Sequence, residues 1–221
     1  MKKLLRVAID GPGGAGKSTI AKEVSRALSL DYIDTGAMYR ACGYKMMKLG
    51  IEPVSSSELI KMLESTDIDF SGGSVYLDGE KADGFIRTPE VTMMASACSA
   101  LPEVRKKLVE LQKKIGASKN VVMDGRDIGT NVLTEAEFKF FLTASPEERA
   151  RRRYEEMKAK GQDVNFDEVL SDINKRDYDD SHRKIDPLKK DDDAIELDTT
   201  NMSIEEVKNY ILKEIEKNVH S

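Results

Sequence analysis

Gly11-Pro12-Gly13-Gly14-Ala15-Gly16-Lys17-Ser18-Thr19 satisfies G-x-x-x-x-G-K-[ST] in full, and its flanks decide the fold. Before it, Leu4, Leu5, Val7, Ala8 and Ile9 form a short apolar run that reads as a buried strand. After it, Ile20, Ala21, Val24, Ala27 and Leu28 recur at helical spacing. The loop therefore joins a strand to a helix, which is where a phosphate-binding loop belongs. Glycines at 11, 13, 14 and 16 let backbone N–H groups approach an anion without side-chain obstruction. The helix starting near Lys17 turns its free N–H groups and positive end toward the same point. In that setting the whole stretch from Gly11 to Thr19 is expected to cradle a triphosphate, with Lys17 reaching the β- and γ-phosphates and the Ser18 hydroxyl placed to hold Mg2+. The bland alternative, a glycine-rich turn with no ligand, does not need the lysine and the hydroxyl.

The 221 residues suffice for one substantial core, and we expect a single domain. Apolar residues make up 39% and charged residues 34%, which excludes a disordered or fibrous chain. A net charge of −5 offers no general attraction to nucleic acid or to an anionic membrane, so phosphate recognition must come from local arginines. The apolar run after Lys2 and Lys3 is too short for a signal peptide, and Cys42 and Cys98 are the only thiols, so a reducing cytoplasm is expected. The widely separated cysteines and the two histidines, His182 and His220, argue against a zinc site. Asn201-Met202-Ser203 reads as a helix start rather than a glycosylation site.

Along the chain, Asp31-Tyr32-Ile33 reads as a second strand and Asp34-Thr35-Gly36 as a turn into a helix ending at Gly50. Ser55 to Ser57 cap a helix through Leu63, and Asp78-Gly79 between Val75-Tyr76-Leu77 and Glu80-Lys81-Ala82 is a two-residue hairpin signal. Thr88-Pro89-Glu90 starts two helical stretches broken near Pro102. Val121-Val122-Met123, Phe138 to Leu142 and Ala194 to Leu197 read as strands, and Ser145 with Glu148, Asn165 with Glu168 and Ser203 with Glu206 announce helices. This alternation predicts an α/β fold with a central parallel sheet covered by helices, interrupted by one small antiparallel sheet.

Ligands of such a sheet collect at the carboxyl ends of its strands. There stand Asp10, then Asp34 and Thr35, then Asp124-Gly125-Arg126-Asp127. Arg149, Arg152 and Arg153 share one side of the helix after Ser145, and Gly161 breaks it from the next, the composition of a mobile lid over phosphates. If the helix begun at Asn165 continues, Arg176, Asp180 and Arg183 fall on one face, either as guanidiniums and a carboxylate for a phosphorylated sugar or as an ion-pair ladder. Asn174-Lys175-Arg176-Asp177 imitates the guanine-reading N-K-x-D of GTPases, but it lies within an amphipathic helical pattern rather than after a strand.

With these residues in place the chain resembles the bacterial-type cytidylate kinases, nucleoside monophosphate kinases of the P-loop NTPase superfamily. The resemblance rests on Ile9-Asp10-Gly11-Pro12, Asp34-Thr35-Gly36-Ala37-Met38-Tyr39-Arg40, Ile86-Arg87-Thr88-Pro89-Glu90-Val91, Asp124-Gly125-Arg126-Asp127-Ile128-Gly129-Thr130, the block from Arg176 to Arg183, and Leu197-Asp198-Thr199-Thr200. It runs through nearly the whole chain and is thinnest from Ile51 to Lys81. It implies transfer of the γ-phosphoryl group of ATP to CMP or dCMP, with Mg2+, by a monomer that binds neither nucleic acid nor membrane. Thr35, where relatives often carry Ser, and Arg40 match acceptor-contacting positions. Ser96 and Arg105 match residues at the cytosine edge, Arg126 and Asp127 a further acceptor-binding pair, Asp180 the ribose carboxylate, and Arg176 and Arg183 arginines at the phosphates. Lys17, Arg126, Arg176 and Arg183, with a lid arginine for which Arg153 stands beside Arg149 and Arg152 as a candidate, are the expected catalytic set. The resemblance divides the domain, 1–221, into a core of about 1–35, 118–145 and 184–221, an acceptor-binding region of about 36–117 carrying the antiparallel sheet, and lid and acceptor-binding helices of about 146–183. A kinase for another small acceptor and a non-catalytic ATP-binding regulator are the competing readings.

Overall fold

The computed structural model describes residues 4–219, so His220 lies outside the described residues. The described chain forms two compact units, one of residues 4–30 with 121–219 and one of residues 31–120.

The first unit is built on β1 (Arg6–Asp10), β6 (Val121–Gly125), β7 (Phe138–Thr143) and β8 (Ile195–Asp198), all parallel, in the order β6-β1-β7-β8. Every residue of β6 is buried, as expected of a strand covered on both faces, whereas β7 alternates, with Phe138, Phe140 and Leu142 inward. Helix α1 (Lys17–Leu28) packs Ile20, Ala21 and Val24 into this core and meets α8 (Ile204–Val219), whose Val207, Ile211 and Ile215 recur every fourth residue. Ser203 and Glu206 cap α8 reciprocally, with Ser203 N donating to Glu206 Oε2 at 2.8 Å and Glu206 N donating to Ser203 Oγ at 3.3 Å. Helices α6 (Pro146–Ala159) and α7 (Phe166–His182), capped by Ser145 and Asn165, pack on each other across the break at Gly161.

The second unit opens with β2 (Asp31–Asp34) and α2 (Thr35–Leu49), followed by α3 (Ser57–Glu64). Its antiparallel sheet contains β3 (Ile68–Ser71), β4 (Ser74–Leu77) and β5 (Glu80–Lys81), with Ile68 opposite Leu77 and Phe70 opposite Val75 on the buried face. Asp78 and Gly79 both have positive φ, as the tight hairpin turn requires. Gly72 and Gly73 do the same one hairpin earlier, which adds a strand to the single hairpin expected. Helices α4 (Pro89–Cys98) and α5 (Pro102–Ser118) complete the unit, and α2 approaches α4 closely at Gly43, where a Cβ would lie 3.0 Å from Ala95 N.

Two local expectations are corrected, and one turn is new. Asp34-Thr35-Gly36 is no turn: Asp34 caps α2 by accepting from Ala37 N at 2.8 Å, and Thr35 and Gly36 already lie in the helix. Helix α7 ends at His182, so Arg183 is extended and does not continue the helical face of Arg176 and Asp180. After β6 the chain winds through one π-helical turn, Ile128–Val132, which no spacing announced.

Candidate active site

The carboxyl ends of β1, β6, β7 and β8 meet around the glycine loop. Gly11 has φ +145°, and a Cβ there would fall 2.0 Å from Leu142 O, so only glycine lets the loop leave β1 beside β7. Gly14 and Gly16 also have positive φ, and Gly16 forms the start of α1 with no side-chain cap, which leaves the first N–H groups of the helix for a ligand. Ala15 is buried beneath the loop, while Ser18 and Thr19 stand at the surface and Pro12 and Gly13 are half-buried.

Lys17 is only 5% exposed, and its Nζ donates to Pro12 O at 2.7 Å. Burial, then the cations Arg126 and Arg176, pull its pKa well below the usual lysine value against the opposing carboxylates Asp124 and Asp10. An ammonium held to its own loop by one carbonyl is poised to exchange that oxygen for a phosphate oxygen. Ser18 Oγ donates to Asp124 Oδ2 at 2.8 Å, and Asp124, 4% exposed, is the next-to-last residue of β6. The sequence showed Asp124 only as a strand-end acid; its partnership with Ser18 became visible once β6 was placed next to β1, with Asp124 opposite Ile9.

Beside the loop the structure brings Arg126, Asp127, Asp180 and Arg183 into one cluster. Arg126 Nε donates to Asp180 Oδ2 at 2.8 Å, Arg183 Nη2 donates to Asp127 Oδ1 at 3.1 Å, and Arg183 Nη1 lies 4.0 Å from Asp180 Oδ1. Burial pushes the Asp180 carboxyl up, but Arg126, Arg176 and Arg183 outweigh it and hold its pKa below the ordinary aspartate value. Arg176 completes the cluster on the loop side, with its Cδ 3.8 Å from where a Cβ on Gly13 would sit. Two carboxylates thus hold guanidiniums in fixed orientations beside the phosphate loop, an arrangement suited to a dianionic phosphate with hydroxyls attached.

The three lid candidates differ. Arg149 is buried and tethers the loop: its Nε donates to Ala144 O at 2.9 Å, Nη1 to Gly13 O at 3.0 Å and Nη2 to Asp177 Oδ2 at 2.6 Å. Arg152 donates to Glu148 Oε1 at 2.9 Å and to Thr199 O at 2.7 Å, joining α6 to the end of β8. Arg153 has a side chain 48% exposed and a 3.7 Å ion pair with Glu156. The tethering by Arg149 and the Arg152–Thr199 contact were not readable from a run of arginines, because both depend on which backbone carbonyls face α6.

The other expected residues lie in the second unit. Thr35 is buried at the start of α2. Arg40 Nη2 and Arg87 Nη2 both donate to Asp34 Oδ2, at 2.8 and 3.2 Å, so one carboxylate caps α2 and gathers two arginines. In the sequence Arg87 stands only within the Ile86–Val91 motif, and its contact with Asp34, 53 residues away, has no local signal. Arg105 is 2% exposed, with its guanidinium 5.9 Å from the centroid of the Tyr39 ring. Ser96 is half-buried on α4 and its carbonyl accepts from Ser99 Oγ at 2.8 Å. A polar cavity of about 400 Å3 lined by Arg6, Glu135, Glu137, Lys139 and Asp193 lies at the amino ends of β1 and β7, where its two cations are already paired, Arg6 with Glu137 and Lys139 with Asp191. Among the described residues no helix is long and apolar enough to cross a membrane.

Comparison with known proteins agrees with this geometry. A structure described as a gluconokinase from Sinorhizobium meliloti aligns over 98% of this chain and 95% of its own with a TM-score of 0.52 at 13% identity, a likeness of fold. A cytidylate kinase of Clostridium perfringens is 50% identical over 217 residues, 98% of this chain and the full length of that protein. A cytidylate kinase of Caldanaerobacter subterraneus subsp. tengcongensis is 51% identical over 214 residues, 97% of this chain and 96% of that one. The family profile described as cytidylate kinase matches residues 7–217. With half of its residues shared with such proteins from end to end, and the glycine loop and the arginine–aspartate cluster in one unit, the chain belongs to the cytidylate kinase family.

Proposed function

We propose that the protein transfers the γ-phosphoryl group of ATP to CMP or dCMP, giving ADP and CDP or dCDP. The observation that carries this reading is the cluster of Arg126, Asp127, Asp180 and Arg183 beside the Gly11–Thr19 loop: a second anion site with hydroxyl acceptors, next to the first. A nucleoside monophosphate has a second pKa near 6, so at pH 7 its phosphate is already a dianion able to attack in line. No general base is required. Catalysis then consists of alignment, charge neutralisation and exclusion of water.

In this reading Lys17 leaves Pro12 O for the phosphate oxygens of ATP, and the free N–H groups of the loop and of α1 carry the rest. Arg126, Arg176 and Arg183 orient the acceptor phosphate and neutralise the transferring group, while Asp180 accepts from the ribose hydroxyls and Asp127 holds Arg183. Thr35 and Arg40 contact the acceptor, Ser96 and Arg105 read the cytosine edge, and Arg153 is the lid arginine with the most freedom to reach a phosphate. The oxygen pair of Ser18 and buried Asp124 suits Mg2+, and those two residues would hold it. Held there, the ion would supply positive charge against the phosphates during transfer. We assign residues 146–183 to a lid with acceptor-binding helices and about 36–117 to the acceptor region of a single enzyme domain. We read the enzyme as a monomer, since one chain supplies every group named, and as cytoplasmic, in keeping with the free thiols of Cys42 and Cys98.

An ADP-release assay with CMP, dCMP, UMP, AMP, GMP and small sugar alcohols as acceptors tests the reading. Turnover greatest with CMP or dCMP is expected. Turnover with a sugar alcohol and none with any nucleotide would overturn it in favour of a small-molecule kinase, and binding of CMP without turnover would favour a regulator.

A further inference from the structure

We propose that Asp10, the residue immediately before the phosphate loop, is a positioning residue for the acceptor: its carboxylate occupies the N–H groups that Asp127 would otherwise cap, and so keeps Asp127 turned toward Arg183. This inference rests on the proposed phosphoryl transfer to CMP.

Asp10 ends β1 and lies opposite Gly125 of β6, two residues before Asp127. Its Oδ1 accepts from Ile128 N at 2.8 Å and its Oδ2 from Gly129 N at 2.7 Å. These are the first N–H groups of the π-helical turn Ile128–Val132, which such a turn leaves without internal partners. The residue in the capping position is Asp127 itself, and an aspartate there ordinarily accepts from the N–H groups just after it. Here Asp127 makes no such cap. Its carboxylate instead accepts from Arg183 Nη2 at 3.1 Å through Oδ1 and from Asn131 Nδ2 at 3.1 Å through Oδ2. Arg183 in turn sits 4.0 Å from Asp180, which holds Arg126.

A buried carboxylate is a costly way to end a strand, and an apolar residue would serve the core better. Asp10 is buried all the same, with both oxygens committed to one turn. Taking those N–H groups is what leaves Asp127 available to the arginine. Without Asp10, those N–H groups fall to the residue in the capping position, Asp127. By rotating into the cap it would release Arg183, and the acceptor cluster would re-pair. Because Asp10 is bonded to Gly11, the same contact ties the conformation of the ATP loop to that of the acceptor arm.

The test is steady-state kinetics with ATP and CMP varied separately for wild type, Asp10→Asn, Asp127→Ala and the double variant. Asparagine keeps the volume of Asp10 but offers one acceptor, so the Michaelis constant for CMP should rise about tenfold or more while that for ATP changes less than about twofold. In the Asp127→Ala background the same substitution should add less than about twofold, because the group through which Asp10 acts is gone. Gly129→Ala approaches the contact from the other side, with a methyl 3.4 Å from Asp10 Oδ2 and 3.3 Å from Lys139 Cδ, and should shift the CMP constant in the same direction even if Asp10→Asn folds poorly. Equal changes for ATP and CMP, or effects of Asp10 and Asp127 that multiply, would overturn the inference while leaving the proposed reaction intact. A wild-type protein that phosphorylates no nucleoside monophosphate would overturn the reaction, and the acceptor role with it. Amide exchange at Ile128 and Gly129 in ligand-free protein reads the clamp independently of turnover: it should be faster in the Asp10→Asn/Asp127→Ala double variant than in Asp10→Asn, where Asp127 takes over the cap, and equal exchange in those two variants would also overturn the inference.

Discussion

Ser18 Oγ and Asp124 Oδ2 lie 2.8 Å apart although 106 residues separate them in the chain. The hydroxyl comes from the first turn of α1 and the carboxylate from the end of β6, and the parallel pairing of β6 with β1 fixes the two relative to each other. Asp124 therefore orients Ser18 and supplies a second hard oxygen. Asp124→Asn keeps the volume but halves the acceptor capacity, so it should lower turnover by about 10–100-fold and raise the magnesium concentration needed for half-maximal rate. A magnesium titration of both proteins checks this. An unchanged midpoint in Asp124→Asn would reduce Asp124 to a support for the fold.

Lys17 is predicted to be a burden on the empty protein and indispensable to the loaded one. It is buried among Arg126 and Arg176 with its Nζ on Pro12 O. Lys17→Met, which keeps the aliphatic stem, should cut turnover by about 10²–10³-fold while leaving the melting temperature equal or higher. The folded pKa lies below the ordinary 10.5, so over that interval the native state has shed a proton that the unfolded chain retains. Raising the pH through it stabilises wild type relative to Lys17→Met, and lowering the pH does the reverse. Denaturant unfolding at several pH values, with kinetics on the same samples, separates the two effects.

What the sequence disclosed and what it withheld divide along a physical line. Features set by residues close in the chain were legible: the loop, the caps Ser56, Thr88, Ser145 and Asn165, and the Asp78-Gly79 turn all depend on local backbone chemistry. The Gly72-Gly73 turn, with both residues at positive φ, carries the same local signal. Contacts that bridge distant segments were not legible from pattern. Asp10 reaching Ile128, Arg149 reaching Gly13 and Arg152 reaching Thr199 each end on a backbone group, and a backbone group has no identity in a sequence. The extent of α7 failed for a related reason. Helical spacing cannot show that Arg183 leaves the helix to donate to Asp186 O at 2.6 Å.

Asp10 also makes a prediction about stability against pH. Burial raises its carboxyl to about 6 despite the hydrogen bonds from Gly129 and Ile128, with Asp127 adding to the rise and Lys17 opposing it. The folded value exceeds the ordinary 3.8, so between the two the native state holds a proton that the unfolded chain has lost. That contribution is complete at low pH and disappears as the pH rises through about 6. Wild type should therefore lose stability relative to Asp10→Asn between pH 4 and 7, by on the order of 3 kcal/mol at about 1.4 kcal/mol per pKa unit. Unfolding free energies of the pair, measured across that range, would show parallel curves if Asp10 titrated normally.

The final prediction separates choice of base from grip on the sugar phosphate. Arg105 is almost fully buried in the second unit against the Tyr39 ring, while Asp180 lies in the first unit between Arg126 and Arg183. A recognition group deprived of its hydrogen-bonding partner costs about 1–3 kcal/mol, which corresponds to roughly 5–150-fold in affinity. Arg105→Ala should raise the Michaelis constant for CMP more than that for UMP and so narrow the difference between them. Asp180→Asn keeps the shape but removes the charge that holds Arg126 and draws Arg183 close, so it should weaken CMP and UMP by a similar factor, with deoxy acceptors affected according to which hydroxyl the carboxylate meets. It should also destabilise the protein at neutral pH. The Asp180 carboxyl is held below its ordinary value, so its stabilisation is present above that value and fades as the pH falls through the folded one. The gap in melting temperature between wild type and Asp180→Asn should accordingly close in acid, which distinguishes lost charge pairing from lost packing. If Asp180→Asn changed the CMP-to-UMP ratio while Arg105→Ala left it alone, the two roles would be exchanged, and base reading would belong to the arginine–aspartate cluster beside the phosphate loop.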